Sequence, residues 1–338
     1  MRFAEDSRQP GPERAISISA GTTQVTHSPQ AYVPASPWRE RLELGEGARW
    51  VDGRLVLVDI LSGHLLADGR TGRALETLAK LRVPLGAVAP VKGAPNTWIA
   101  AAGTGVCILT EAGGISWISR VEDSSSVAMR VNDAAADPAG RFWFGTMACD
   151  VTEDAGSLYR VDRAGTVTRV LDHITIPNGP AFNEDGTTMY LADSIRGIVR
   201  RYCVDPVTGE LTELEPFADF AQLPGGPDGM AVDCEGAVWI ACWGGGTVRR
   251  YLADGTPDRV VELPATQPTA VCLGGPDRRL LHVTTATRGL NKPGAYDGAV
   301  FTVPVEVPGL PCAAFYPEAP VTALLEGSRS AGRDMHGD

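Results

Sequence analysis

The stretch CEGAVWIACWGGGTVRRYLADG, residues 234–255, contains the pattern of strands and turns from which the fold is predicted. A turn at Gly236 leads into a short apolar segment, a run of three glycines follows, and a second short segment ends at the turn of residues 253–255. Short apolar segments bounded by Gly and Asp are typical of β-strands joined by tight turns. We therefore predict that this stretch forms one antiparallel hairpin.

The same pattern recurs along the whole chain. The other copies are WVDGRLVLVDI (50–60), GAPNTWIAAAGTGVCIL (93–109), DPAGRFWFGTMACD (137–150), NEDGTTMYLADS (183–194) and GPDRRLLHVTTA (275–286). Matching points near Asp59, Ala102, Gly145, Ala192, Ala241 and Thr284 lie roughly 43 to 49 residues apart, the length of one four-stranded propeller blade. The repeats predict an all-β protein, a six-bladed β-propeller.

Composition and charge narrow the partners and the compartment. The 338 residues are 43% hydrophobic and 21% charged, with a net charge of -11 and no basic run, so neither nucleic acid nor an anionic membrane surface is expected as a partner. The chain has no long apolar stretch and no apolar leader, and its seven cysteines form no C-x-x-C pair. We expect a cytoplasmic protein with reduced thiols.

Domain boundaries follow from the repeats. The propeller is predicted over residues 38–327, with a disordered extension at 1–37 and a disordered tail at 328–338, because both ends are rich in Ser, Pro, Gly and charge. The segment WRERLELG, residues 38–45, is expected to pair with the last repeat and so close the ring.

Polar residues recur at one phase of the repeat. About 13 residues before the matching points lie Glu46, Asn132, Asn178 (within one residue) and Asp228, while the other two repeats have Ala89 and Thr269 there. Arg130 precedes Asn132 by two residues and so shares its side of the strand. We predict that these side chains meet at one end of the central channel, although each alone is also typical of a turn or cap.

A cluster of this kind favours a divalent cation. Two carboxylates held close together repel unless a positive charge lies between them. Carboxylate and amide oxygens suit Ca²⁺, Mg²⁺ or Mn²⁺, and no nearby His or Cys favours Zn²⁺. Water would complete the coordination shell, which leaves positions open for a substrate.

Four motifs together resemble the regucalcin and gluconolactonase family of metal-dependent lactonases. They are LGEGARW (44–50), RVNDAAADPAGRFWFGTM (130–147), IPNGPAFNEDG (176–186) and GGPDGMAVDCEGAVWIACWGG (225–245). The resemblance implies that Glu46, Asn178 and Asp228 bind one divalent ion, Ca²⁺ in the first place and Mg²⁺, Mn²⁺ or Zn²⁺ as alternatives. It further implies that Arg130 and Asn132 contact the substrate and that Asn132 lies close enough to the ion to be a fourth ligand.

The chain departs from the family after GTM, where some members have a sugar-binding Glu two residues beyond Met147. Cys149 stands at that position here and Asp150 follows it, so both are candidate substrate-binding residues. We expect hydrolysis of a sugar-acid lactone, with the metal polarising the carbonyl and Asp228 as general base. Alternatives are an organophosphate or aryl-ester hydrolase, and a non-catalytic propeller that binds calcium or a protein.

Overall fold

The computed structural model describes residues 40–69, 74–111 and 113–321, which form 24 β-strands in six antiparallel sheets. The sheets are arranged in a ring, which confirms the six-bladed β-propeller. No helix among the described residues has the length and hydropathy needed to cross a membrane. The predicted extension at 1–37 and tail at 328–338 lie outside the described residues.

The first three blades each contain four strands. Blade one consists of β1 (Gly45–Val51), β2 (Arg54–Asp59), β3 (His64–Asp68) and β4 (Leu75–Lys80). Blade two consists of β5 (Leu85–Pro90), β6 (Thr97–Ala102), β7 (Gly105–Thr110) and β8 (Ile115–Ser119). Blade three consists of β9 (Met129–Ala136), β10 (Phe142–Ala148), β11 (Gly156–Val161) and β12 (Val167–Ile174).

The other three blades vary in their outer strands. Blade four consists of β13 (Pro177–Phe182), β14 (Thr188–Asp193), β15 (Ile198–Val204), β16 (Leu211–Glu213) and β17 (Ala218–Asp219), the last two both pairing with β15. Blade five consists of β18 (Gly226–Val232), β19 (Val238–Trp243), β20 (Thr247–Tyr251) and β21 (Pro257–Glu262). Blade six consists of β22 (Pro268–Gly274), β23 (Leu280–Thr285) and β24 (Phe301–Pro304).

The first strand of each blade lines the central channel. These inner strands are β1, β5, β9, β13, β18 and β22, and each contacts the next around the ring. The second strands are almost wholly buried between neighbouring sheets, as in β10, where all seven residues are buried. The core consists of apolar side chains between the blades. A single blade cannot bury its own two faces, so each face is buried against the neighbouring blade.

The ring closes where the start of the propeller meets its last repeat. Leu44 forms an antiparallel bridge with Ala286, the amide of Leu42 donates to the carbonyl of Gly298 at 2.9 Å, and the hydroxyl of Thr269 donates to the carbonyl of Gly45. The predicted pairing of this segment with the last repeat is confirmed for residues 42–44, and residues 38 and 39 lie outside the described part.

The segment after β24 crosses one end of the ring. The amide of Cys234 in blade five donates to the carbonyl of Pro308 at 3.0 Å. Seven residues further on, the amide of Phe315 donates to the carbonyl of Pro90 in blade two at 2.9 Å. This segment therefore ties opposite sides of the ring together and covers the end of the channel away from the starts of the inner strands.

Candidate metal and active site

Every inner strand contains a β-bulge near its start. In β9, Asn132 and Asp133 lie between the pairs Val131↔Thr146 and Ala134↔Phe144, so two residues face one on the partner strand. The other five inner strands have a register shift at the corresponding place. A bulge turns the chain locally and redirects side chains. The shared phase of the polar residues is therefore a ring of bulges at one end of the channel, which we call the mouth.

One residue of the predicted ring is wrong. Blade two contributes Gly86 at this position and not Ala89. The turn between β5 and β6 is longer than the turn between β1 and β2, so counting back 13 residues from the second strand ends too late in β5. A Cβ atom on Gly86 would lie 1.9 Å from the carbonyl oxygen of Asn132. Blade two has no side chain here because its neighbour approaches too closely.

Hydrogen bonds join the bulges of blades three, four and five. The Nδ2 atom of Asn132 donates to Oδ1 of Asn178 at 2.7 Å and to the carbonyl of Pro177 at 3.0 Å. The Nδ2 atom of Asn178 donates to the hydroxyl of Ser194 at 2.7 Å, and that hydroxyl donates to the carbonyl of Pro227 at 2.6 Å. Asn132 and Asn178 are thus held in one network at the mouth, which reaches the backbone directly before Asp228.

Glu46 and Asp228 form a buried carboxyl pair in this ring, each 4% exposed. The pKa of Glu46 is raised well above its usual value by burial and by the charges of Asp228 and Asp133. The pKa of Asp228 is raised by burial and by Asp133, while a hydrogen bond to Glu46 acts in the opposite direction. Two groups in this state need a shared proton or a cation between them.

The surroundings of the pair fit a hard divalent cation. Within the described residues, no basic side chain forms an ion pair with Glu46 or Asp228. The described ranges also contain no group of three His, Cys, Asp or Glu placed to hold an ion, so an ion here would have only the two carboxylates and amide oxygens as protein donors. All-oxygen donors of this kind, completed by water, suit Ca²⁺, Mg²⁺ or Mn²⁺.

Arg130 lies beside this cluster and is half-buried. Its Nη1 atom donates to Oδ1 of Asn132 and to the carbonyl of Val131, both at 2.8 Å. Burial lowers the pKa of its guanidinium, and the nearby Cys149, Glu46 and Asp228 act to raise it. The predicted closeness of Arg130 to Asn132 is therefore found in the structure.

The remaining predicted residues lie at the rim of the mouth or have other partners. The carboxylate of Asp150 accepts hydrogen bonds from the amide and the hydroxyl of Thr152 at 3.1 and 2.7 Å, which lowers its pKa, and the residue is exposed. Cys149 is exposed and close to Arg130. The amide oxygen of Asn132 faces Arg130. Substrate binding by Cys149 and Asp150, and metal binding by Asn132, stay predictions.

Sequence reasoning missed three residues of the site: Asp133, Arg49 and Ser194. Strand alternation places Asp133 on the face opposite Asn132, and only the bulge turns both of them inward. Arg49 comes from blade one, and its Nη2 atom lies 3.8 Å from Oδ1 of Asp133. The regular repeat offered no signal for these contacts, because they join residues of different blades.

A cavity lies at the other end of the channel and is separate from the candidate site. It measures about 350 Å³ and is lined mainly by small and apolar residues of the inner strands, together with residues 310–313 of the crossing segment. Arg49 is the charged residue of its wall nearest to the bulges, so the pair of Arg49 and Asp133 lies between this cavity and the mouth.

Fold and site together define a six-bladed propeller that presents carboxylate and amide oxygens at one mouth of its channel. Residues 44–287 match the family model described as the SMP-30/gluconolactonase/LRE-like region, and the chain belongs to this family. Pentonolactonase XacC of Haloferax volcanii is 37% identical over 79% of this chain and 93% of its own length. Regucalcin of Danio rerio is 30% identical over 75% of this chain and 86% of its own length.

A solved structure supports the same assignment. The crystal structure described as a calcium-binding protein, regucalcin, from Agrobacterium tumefaciens superposes with a TM-score of 0.77 at 30% identity. The match covers 83% of this chain and 97% of that chain. The resemblance predicted from the motifs is thereby confirmed.

Proposed function

We propose that the protein hydrolyses the lactone of a sugar acid with the help of one divalent metal ion. The observation that carries this proposal is the buried pair of Glu46 and Asp228, which forms no direct ion pair within the described residues and has the guanidinium of Arg130 nearby. The names of relatives support the substrate class, since they include a pentonolactonase and, in Bacillus subtilis, a putative sugar lactone lactonase.

Glu46, Asn178 and Asp228 would hold the ion, with Asn132 as a further donor. A bound ion supplies Lewis acidity toward a carbonyl oxygen and lowers the pKa of water. Calcium is the first choice because the donors are all oxygen and because a structural relative is described as calcium-binding. Mg²⁺, Mn²⁺ and Zn²⁺ are the alternatives for the test below.

The side chains at the mouth have separate roles in the proposed reaction. Asp228 accepts the proton from the attacking water, because its buried carboxylate lies at the mouth where the ion and the substrate would meet. Arg130 donates to the hydroxyls or ring oxygen of the lactone, because only its Nη1 atom is engaged within the described part of the chain. Asn132 orients Arg130 through its amide oxygen, and Cys149 forms a small neutral wall near it.

The test is acid release from a panel of aldonolactones. Protein is first treated with a chelator and then receives Ca²⁺, Mg²⁺, Mn²⁺ or Zn²⁺ singly. We expect turnover of at least one aldonolactone to disappear on chelation and to return with one or more ions. Aryl esters and organophosphates, assayed in parallel, are expected to react more slowly because the mouth is polar.

Two results would contradict the proposal. Hydrolysis that survives complete removal of the metal would exclude the metal-dependent chemistry. Failure to open any lactone with all four ions, while calorimetry still detects ion binding, would instead support a non-catalytic calcium-binding propeller.

A further inference from the structure

Asp133 is a third buried carboxylate at the mouth. It is 3% exposed and follows Asn132 in the bulge of β9. Its charge contributes to the raised pKa of both Glu46 and Asp228, so it lies near both candidate ligands. The chemistry described above does not use it.

Both oxygens of Asp133 already have backbone partners. Oδ1 accepts from the amide of Ala134 at 2.8 Å, and Oδ2 accepts from the amide of Gly179 in blade four at 3.0 Å. The Gly179 amide belongs to the peptide group that begins with the carbonyl of Asn178. Asp133 therefore fixes the backbone of Asn178 while Ser194 fixes its side chain.

The backbone at this point lies in the bulge of β13, between the pairs Asn178↔Ala192 and Ala181↔Tyr190. Gly179 has a φ of +83°, which is left-handed, and a Cβ atom there would lie 2.9 Å from the Cε atom of Met230. Because glycine has wide conformational freedom, a hydrogen bond from outside the strand helps to fix the orientation of its peptide group. Asp133 provides that bond.

Arg49 connects Asp133 to blade one. Its Nη2 atom donates to the carbonyl of Ala134 and lies 3.8 Å from Oδ1 of Asp133, while Nη1 donates to the carbonyl of Ala48 at 2.7 Å. Arg49 therefore reaches from blade one to blade three and supplies the counter-charge that a buried carboxylate needs.

We propose that Asp133, held by Arg49, is a positioning residue that orients Asn178 toward the divalent ion without binding the ion itself. The inference rests on the proposed function, because it requires an ion at Glu46, Asn178 and Asp228. Outer-shell groups of this kind typically change metal affinity by about 10 to 100-fold.

The test compares Asp133→Asn with Asp297→Asn in metal-free full-length protein. Asp297 is a matched control from blade six, which has no proposed ligand: it is 4% exposed and accepts two backbone amides at 2.6 and 2.7 Å. Mn²⁺ affinity is measured by calorimetry, and the electron paramagnetic resonance spectrum of bound Mn²⁺ reports its coordination. We expect Asp133→Asn to weaken binding about 10 to 100-fold and to alter the spectrum. Asp297→Asn is expected to keep the affinity and spectrum of the unmodified protein.

The outcomes separate the two proposals. If the unmodified protein binds Mn²⁺ and opens lactones while Asp133→Asn keeps its affinity and spectrum, the positioning role is wrong and the proposed function stands. If the unmodified protein binds no divalent ion, both proposals are wrong. Asp133→Ser, which keeps one acceptor but loses the charge, replaces the Asn variant if that variant does not fold, and is expected to weaken binding in the same range.

Discussion

Asp228 lies near the start of strand β18, Asp233 directly follows its end, and the two carboxylates have opposite surroundings. Asp228 at the mouth is 4% exposed and faces Glu46, another acid. Asp233 at the covered end is 1% exposed and accepts from Nε1 of Trp239 at 3.0 Å and from Nε of Arg250 at 2.8 Å. Asp233 is thus compensated by a direct ion pair with Arg250, whereas Asp228 has no ion pair among the described residues and only the more distant charge of Arg130.

A compensated carboxylate also follows the end of strand β9. Asp137 accepts from Nε1 of Trp143 at 2.9 Å and from Nε of Arg141 at 2.6 Å. Since a buried charge without partners costs several kcal/mol, a fold retains one only where something else supplies the opposite charge. Burial alone therefore does not distinguish a structural carboxylate from a functional one, whereas the lack of a direct ion pair favours a functional one.

The largest expected effect comes from the substitution Asp228→Asn. We expect kcat to fall by about 10²- to 10⁴-fold, because the general base and a metal ligand are lost together. Stability of the metal-free protein should be unchanged or higher, because a buried like-charge contact is removed. Lactone assays and thermal unfolding with chelator measure the two effects. Full turnover with metal bound would show that Asp228 is not the base.

Asp233→Asn tests the compensated end. The change leaves the Arg250 guanidinium with one buried partner fewer, so we expect a loss of about 3 to 5 kcal/mol in the free energy of unfolding. The kcat of the folded protein should be unaffected, since Asp233 is at the far end of the strand. Denaturant unfolding and active-site-normalised kinetics are the measurements. A kinetic defect without loss of stability would contradict the division between the two ends.

Addition of the divalent ion tests whether it binds at Asp228. An ion that binds only the folded state at a concentration 100 times its Kd should add about 2.7 kcal/mol of stability. This gain should be present in Asp233→Asn and absent in Asp228→Asn, because Asp228 is a proposed ligand of the ion and Asp233 lies at the covered end of the channel. Thermal unfolding with and without chelator measures it. An equal gain in both variants would place the ion elsewhere.

The smallest expected effect is a loss of stability at low pH caused by His282. It is 6% exposed, stacks on Trp50 at 5.4 Å, and burial lowers its pKa to about 4. The unfolded chain, with a pKa of about 6.5, takes up a proton first, so stability is full above this pH and falls as the pH drops toward 4. We expect a loss of about 2 kcal/mol between pH 7 and 5.

His282→Phe keeps an aromatic ring against Trp50 and removes the titrating group. Stability measured by denaturant unfolding from pH 7 to 5 should therefore lose this part of its slope. An unchanged slope would show that His282 is not the group responsible.

Local signals in the sequence determined the architecture. Turn residues and short apolar strands recur at a nearly constant interval, and that interval alone gives the number of blades and the phase of Glu46, Asn132, Asn178 and Asp228. The same count failed for Ala89, because a longer turn shifts the register in a way that only the strand pairing reveals.

Which charged side chains lie close together follows only from the tertiary structure. The bulge in β9 turns Asp133 inward beside Asn132, and closure of the ring places Arg49 against Asp133 while leaving Glu46 and Asp228 with each other. The physical reason is that strand formation depends on neighbours along the chain, whereas the energy of a buried charge depends on groups brought near it from distant blades.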